Sequence, residues 1–497
     1  MTLEILGHSY AYEMECLARL FYPGRQIEVI NQPGGLGRDR LITRMEMAGD
    51  EVSLFAAVYV DGQVREQSDC FTAGSPYWEW DAQRRLSALL FDLLCESAGA
   101  RPPWGMLTGV RPVSFSRKMM SRFGLNEDQL AKTLAQDYRV LPEKAELVIS
   151  ILGAQKEILA KNTPRSYSLY IGIPFCPTRC LYCSFVSHAI DKAAKILPDY
   201  LRRLYEELAA IGKLAGQLGL KLCSIYIGGG TPTTLSPGQL RDLLEAIQKS
   251  FPTTEVLEYT VEAGRPDTIT GEKLEIIKSY GVCRISVNPQ TMDDTILKAI
   301  GREHTATQAR GAVQLARQAG FDNINMDIIA GLPGQTPQSF LDTVEQILCL
   351  RPENITVHTL TVKRSSDLRT RHDAFDKGHP LDNLLNTCRS RLSQAGYRPY
   401  YLYRQQGSPQ NLENIGYCLP GKEGLYNIYS MEDAQTILAA GAGGVTKLCA
   451  PSGKVMRIFN YKYPYEYISG FETLLGRKAA VQSFYEKDVR QCNPSSS

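Results

Sequence analysis

The stretch Leu169-Tyr170-Ile171-Gly172-Ile173-Pro174-Phe175-Cys176-Pro177-Thr178-Arg179-Cys180-Leu181-Tyr182-Cys183-Ser184-Phe185 organises the chain. It opens as a strand, apolar and β-branched, and Pro174 ends the strand pattern. Three thiols then follow within eight residues, at the spacing C-x3-C-x2-C. One loop can wrap a single inorganic cluster at that spacing, since thiolates are the usual ligands of iron–sulfur centres. Three protein ligands on a four-iron cubane leave one iron open to another molecule. Zinc is the rival, because it also takes clustered cysteines, with His188 as a conceivable fourth ligand. A structural zinc site usually shows two paired ligand sets, however, and no second C-x2-C occurs in the chain. A disulfide is a further alternative.

Working outward, 497 residues suffice for roughly three average domains, or for a barrel and a companion. Apolar content of 43 % allows a large core. A formal net charge of +2 predicts no strong pull toward nucleic acid or an anionic membrane. No apolar run approaches the ~18 residues of a membrane span, and Met1-Thr2-Leu3-Glu4 does not open like an export signal. The 13 cysteines are dispersed and odd in number, so most read as reduced buried thiols of a cytoplasmic protein.

Residues 1–165 read as a separate α/β domain. Short strands are expected at 3–6 and 26–30, helices at 11–20, 80–98, 126–138 and 142–160, and a hairpin about Asp61-Gly62. Gly34-Gly35-Leu36-Gly37 lacks a Walker lysine and a βαβ setting, so it reads as a loop. Pro103-Trp104-Gly105-Met106-Leu107-Thr108-Gly109-Val110-Arg111-Pro112 has no periodicity; it fits a docking loop onto the next domain or a turn-rich connector.

Between 166 and 396 the pattern becomes strand then helix, six times over. Strands are expected near 168–175, 222–229, 257–263, 283–288, 323–330 and 354–362, with amphipathic helices between them. Serial βα units imply parallel strands with right-handed crossovers. Six are too few for a closed eight-stranded barrel, so the expected fold is α/β, an open three-quarter (βα)6 TIM-like barrel. Chemistry in such barrels sits at the C-terminal strand ends. There the chain places Gly228-Gly229-Gly230-Thr231-Pro232, whose glycines allow close backbone approach to a ligand. Glu262, Gln290 and Asp327 follow at three successive strand ends, each able to hydrogen-bond ribose hydroxyls or an ammonium. Singly each could be a helix cap or a solvated loop residue; their register speaks for a site.

These motifs together resemble the radical S-adenosylmethionine (SAM) superfamily, and within it the oxygen-independent coproporphyrinogen III oxidase family, HemZ-type subgroup. The likeness runs over Tyr170 to Cys176, Gly228 to Pro232, Gln290, Gly301-Arg302 and Asp327 to Pro333. Leu107 to Pro112, Asn411 to Tyr417 and Tyr426 to Ile428 look like that subgroup as well. The resemblance implies a 4Fe–4S cluster on Cys176, Cys180 and Cys183 that chelates SAM. It places Tyr170, Gly229, Gly230, Thr231, Glu262, Gln290, Arg302 and Asp327 at SAM-contacting positions, and Tyr182 beside the adenine. It further implies a flavodoxin or ferredoxin as electron donor. The family reaction is reductive cleavage of SAM to a 5′-deoxyadenosyl radical, which takes hydrogen from a propionate. Carbon dioxide and an electron then leave, giving a vinyl group. Two positions depart from the family pattern. Gly172 stands where the family has His, and Phe185 where the oxidases carry a further Cys. Relatives without that Cys are haem-carrying chaperones, and others transfer methyl groups.

A tetrapyrrole substrate needs cationic anchors for its carboxylates, and strand six leads into Lys363 and Arg364. A solvated basic turn is the alternative there, as a core histidine is for His358. From 397 to 497 the chain is rich in Tyr and reads as a small α/β lid over the substrate.

Overall fold

The structure, a computed structural model, describes residues 1–34, 38–183, 188–361, 381–405 and 411–489. It divides into two compact units, one of Met1–Leu152 with Tyr403–Glu413, the other of Gly153–Leu402 with the chain from Asn414 onward.

The first unit holds a five-stranded sheet: β1 (Thr2–Leu6), β2 (Glu28–Ile30), β3 (Arg40–Ala48), β4 (Glu51–Val60) and β5 (Gln63–Thr72), in the order β2-β1-β3-β4-β5. β1 runs parallel to β2 and β3, and β3, β4 and β5 are antiparallel. Asp61 and Gly62 close the β4–β5 hairpin with φ of 52° and 74°, the paired positive values that a type I′ turn demands. The stretch before Pro112 is a fixed loop. Gly105 lies so close to the Tyr138 carbonyl that a Cβ would sit 2.2 Å from it. Trp104 Nε1 donates to Glu413 at 2.7 Å, and Lys144 Nζ to the other oxygen at 2.6 Å, both partners of this ion pair being fully buried. Pro112 then opens an unforeseen helix, Pro112–Phe123, at a first-turn position where its missing N–H costs nothing.

The second unit is built on β6 (Ser166–Ile173), β7 (Phe175–Cys176), β8 (His188–Ala189), β9 (Lys221–Gly229), β10 (Glu258–Gly264), β11 (Arg284–Val287), β12 (Ile324–Ala330), β13 (Asn354–Thr359), β14 (Arg398–Arg404), β15 (Glu413–Cys418), β16 (Thr436–Ala440), β17 (Val445–Cys449) and β18 (Val455–Phe459). Eleven of these form one sheet, β14-β15-β13-β12-β11-β10-β9-β6-β16-β17-β18, while β7 and β8 pair separately. Strands β6, β9, β10, β11, β12 and β13 are parallel to their neighbours in that series, with helices such as Leu197–Gln217, Pro237–Ser250 and Pro337–Leu350 between them. Both faces of the strands are covered, so Leu169, Ile171, Ile225, Val261, Ile285 and Ile328 are buried, and the strands read as apolar runs rather than alternations. Capping boxes at Ser236, Thr305 and Thr336 start the crossover helices, satisfying first-turn amides.

The region expected as a lid contributes to the barrel sheet itself. β16 pairs parallel with β6, from Thr436↔Tyr167 to Ala440↔Ile171, adding a seventh parallel strand. β15 runs antiparallel to β13. Five uninterrupted buried residues, Thr-Ile-Leu-Ala-Ala, are too short a run to announce a central strand.

Candidate radical SAM site

The cysteine loop leaves the C-terminal end of β6 and is held from β9. Gly230 N–H donates to the Ile173 carbonyl at 2.8 Å and Thr231 N–H to Phe175 at 2.7 Å. A Cβ on Gly230 would lie 2.6 Å from the Phe175 oxygen, so only glycine lets these two strand ends meet. The amides of the Gly-Gly-Gly-Thr turn are thus turned inward on the protein, and Gly229 N–H goes to Glu262 at 3.3 Å. Thr231 Oγ1 donates to Cys176 Sγ at 3.5 Å, and the Cys183 N–H to the Cys180 carbonyl at 3.1 Å. Leu181 and Tyr182 pack on Ile296, Leu297, Ile300, Ile329, Leu332 and Leu360.

Arg302 fastens the loop from the next layer. Its Nε and Nη2 donate to the Tyr182 hydroxyl at 3.1 and 3.0 Å, and its Nη1 to the Asn288 carbonyl at 2.6 Å. Gln290, three residues beyond β11, has a φ of 70°; its N–H donates to the Asp327 carbonyl while its side-chain Oε1 is buried without a donor. A buried acceptor with nothing to accept is costly, and a bound donor would relieve it.

Glu262 and Asp327 stand on β10 and β12. The Tyr226 hydroxyl donates to Glu262, and Gly228 leaves room for its carboxylate, since a Cβ there would be 2.8 Å from Oε2. Burial pushes the Glu262 carboxyl up to about 7, the charge on Asp327 adding to the rise and the Tyr226 and Gly229 hydrogen bonds opposing it. Burial would likewise raise Asp327, but the His358 imidazole beside it, with Asn325 and Thr356, outweighs burial and holds the carboxyl below the usual range. Asn325 Nδ2 donates at 2.7 Å, and His358 Nε2 lies 3.7 Å from Oδ2. Two like groups pushed apart in this way leave one protonated near neutrality and the other ionised. Tyr170, Tyr226 and Tyr426 stack beside Glu262, with centroids 6.3, 6.2 and 4.4 Å apart.

Tyr170, Glu262 and Asp327 therefore stand within β6, β10 and β12 of one sheet rather than at their ends, Gly229, Gly230, Thr231 and Gln290 lie at or just beyond the ends of β9 and β11, and Arg302 and Tyr182 are joined by hydrogen bonds. Tyr226 and Asn325 were not foreseen, although Tyr226 pairs in register with Tyr170 and so shares its face. Among the described residues no three His, Cys, Asp or Glu side chains converge as the ligands of a single ion do. Lys363, Arg364 and Phe185 lie outside the described residues.

Gly172 packs against the chain that follows β16. A Cβ there would sit 3.0 Å from the Ala442 carbonyl, and the Gly172 carbonyl accepts from the Tyr200 hydroxyl at 2.6 Å. The segment after β16 thus crowds the Cβ position at Gly172.

The Radical SAM superfamily profile matches residues 170–347. The oxygen-independent coproporphyrinogen-III oxidase-like protein HemZ of Bacillus subtilis is 38 % identical over 413 residues, 82 % of each chain. The chain belongs to the radical SAM superfamily, in its coproporphyrinogen III oxidase-like family. The heme chaperone HemW of Haemophilus influenzae is 33 % identical over 61 % of this chain and 76 % of that one. Coproporphyrinogen III oxidase HemN from Escherichia coli superposes with a TM-score of 0.51 at 22 % identity, covering 64 % of this chain and 71 % of that one, which shows the radical SAM fold. The family's cofactors are a 4Fe–4S cluster and S-adenosylmethionine. The donor chemistry here suits both: three thiols on one loop, and an orphaned buried acceptor with two differently charged carboxyls on β10 and β12, the strands either side of β11.

Proposed function

We propose that this radical SAM protein acts on a tetrapyrrole, converting propionates of coproporphyrinogen III to vinyl groups by oxidative decarboxylation. The observation that carries the reading is the 38 % identity to a coproporphyrinogen oxidase-like protein along 82 % of the chain, which extends well beyond the radical SAM segment. Cys176, Cys180 and Cys183 hold the cluster. Tyr170, Gly229, Gly230, Thr231, Glu262, Gln290, Arg302 and Asp327 bind and orient SAM, and Tyr182 flanks its adenine. When bound, cluster and SAM together supply a carbon radical able to take hydrogen from the substrate. The chain's own work is to position and to exclude water. Gln290 Oε1 and the ionised Asp327 accept hydrogen bonds from the ligand, and Glu262 holds or yields a proton near neutrality. Lys363 and Arg364 anchor substrate carboxylates, and a flavodoxin or ferredoxin supplies electrons.

A second reading has its own support. A heme chaperone relative matches at 33 % identity, and Phe185 stands where the oxidases carry a further cysteine that the haem-carrying relatives lack. On that reading the chain keeps the cofactor site and hands on intact haem. Product analysis after anaerobic reconstitution separates the two. Carbon dioxide with a vinyl porphyrinogen supports the first, and unchanged haem in a stable complex with no carbon dioxide overturns it. A methylated product overturns both.

A further inference from the structure

Arg265 follows β10 directly, three residues after Glu262, and has no part in the assignments above. Its side chain is 3 % exposed. Nε and Nη2 each donate to one oxygen of Asp267 at 3.0 Å, a forked pair that fixes the plane of the guanidinium. The remaining nitrogen, Nη1, reaches the cysteine loop, donating to Thr178 Oγ1 at 3.0 Å and to Cys180 Sγ at 3.7 Å. His304 stands on the other side of Asp267, its Nδ1 3.9 Å from the carboxylate. Burial, reinforced by the charge of Arg302, pushes that imidazole down to about 3, so it is neutral and adds no charge to the group. The middle cysteine of the loop therefore faces a desolvated cation held rigidly by a counter-ion.

Fixed charge and hydrogen bonds to the sulfurs are principal levers on the potential of an iron–sulfur cluster. Reduction adds one negative charge, and a cation beside a ligating sulfur stabilises the reduced form more than the oxidised one. The effect is strong where water is excluded. We propose that Arg265 is a positioning residue that raises the cluster's reduction potential through its Nη1 hydrogen bond to Cys180. A low-potential one-electron donor then reduces the cluster more readily; one electron enters, and no bond or proton changes place. The inference rests on Cys180 being a cluster ligand.

The test is a redox titration of the anaerobically reconstituted full chain with dithionite, without SAM, followed by electron paramagnetic resonance. In Arg265→Gln the ratio of reduced to oxidised cluster at a given potential should fall about tenfold, equivalent to ~59 mV for a one-electron couple. Arg265→Lys, which keeps the charge, should fall by less. Asp267→Asn removes the counter-charge and should move the potential the opposite way. An Arg265→Gln protein with full iron and an unshifted potential overturns the proposal. If that variant loses its cluster, Asp267→Asn decides, and a potential unchanged or more negative overturns it. Cys180→Ala separates the two readings: full iron retained there would remove the ligand assignment, whereas iron lost there with Arg265→Gln unshifted refutes the role of Arg265 alone.

Discussion

At the scale of single residues, the site is shaped by what burial does to identical groups. Glu262 and Asp327 are both carboxyls within buried strands, yet Asp327 has the His358 imidazole, Asn325 and Thr356 around it and Glu262 lacks that surplus. The consequence for stability has a definite sign. Below pH 4.5 Glu262 is protonated in folded and unfolded chains alike. Between 4.5 and about 7 only the unfolded chain ionises, so stability falls as pH rises, by ~3 kcal/mol in all. Glu262→Gln escapes this loss, and the cofactor-free variant should match the parent near pH 5 and exceed it at pH 8. Urea unfolding at the two pH values checks the difference, and an equal change at both would count against it. Gln290 gives a second case. Gln290→Ala removes an acceptor that nothing in the folded chain satisfies, so stability should hold or rise, while SAM affinity falls about tenfold to a hundredfold. Calorimetric titration with SAM reads the loss; unchanged affinity would take Gln290 out of the site.

The element that decides the site is the junction of two strand ends, β6 running into the cysteine loop and β9 into the glycine turn. Its hydrogen bonds are backbone to backbone, and they require a missing side chain at Gly230. Gly230→Ala should push the Phe175 backbone aside, costing about 1–3 kcal/mol and lowering the iron retained on reconstitution. Gly271→Ala, where a Cβ meets nothing within 4 Å, is the control and should leave iron content unchanged. Equal iron in both variants would show that the junction does not govern the loop.

At the scale of the whole second unit, the C-terminal segment is bound in by one buried acid. Glu207 is fully buried on the helix Leu197–Gln217. It is met by Lys478 Nζ at 3.0 Å, the Tyr467 hydroxyl at 2.6 Å, Asn460 Nδ2 at 2.9 Å and Gly441 N–H at 2.8 Å. Removing the cation strands a charge away from water, so Lys478→Met should cost about 3–5 kcal/mol. Adding Glu207→Gln should recover part of that loss, because the unpaired charge goes with it. Denaturant midpoints for the single and double variants measure the coupling. Purely additive losses would mean that the pair is not the link.

Much of this was legible because it is local. The cysteine spacing, the glycine turn, the serial βα pattern and the Asp61-Gly62 hairpin are each written within a few residues, where backbone preference and side-chain period act directly. Glu262, Gln290 and Asp327 could be grouped as candidates because a parallel sheet brings corresponding positions of successive strands to one side. β16 was not, since a five-residue buried run takes its meaning from the partner strand β6, more than 260 residues away in sequence. Nor does the sequence show that the carbonyl of Ala442, from that same distant segment, crowds Gly172. The chemical groups and their order along the chain belong to the sequence. Which carboxyl keeps its proton, which cation faces Cys180 and which strand lies beside β6 were decided only by tertiary structure, because charge, burial and packing act between residues that the chain itself keeps far apart.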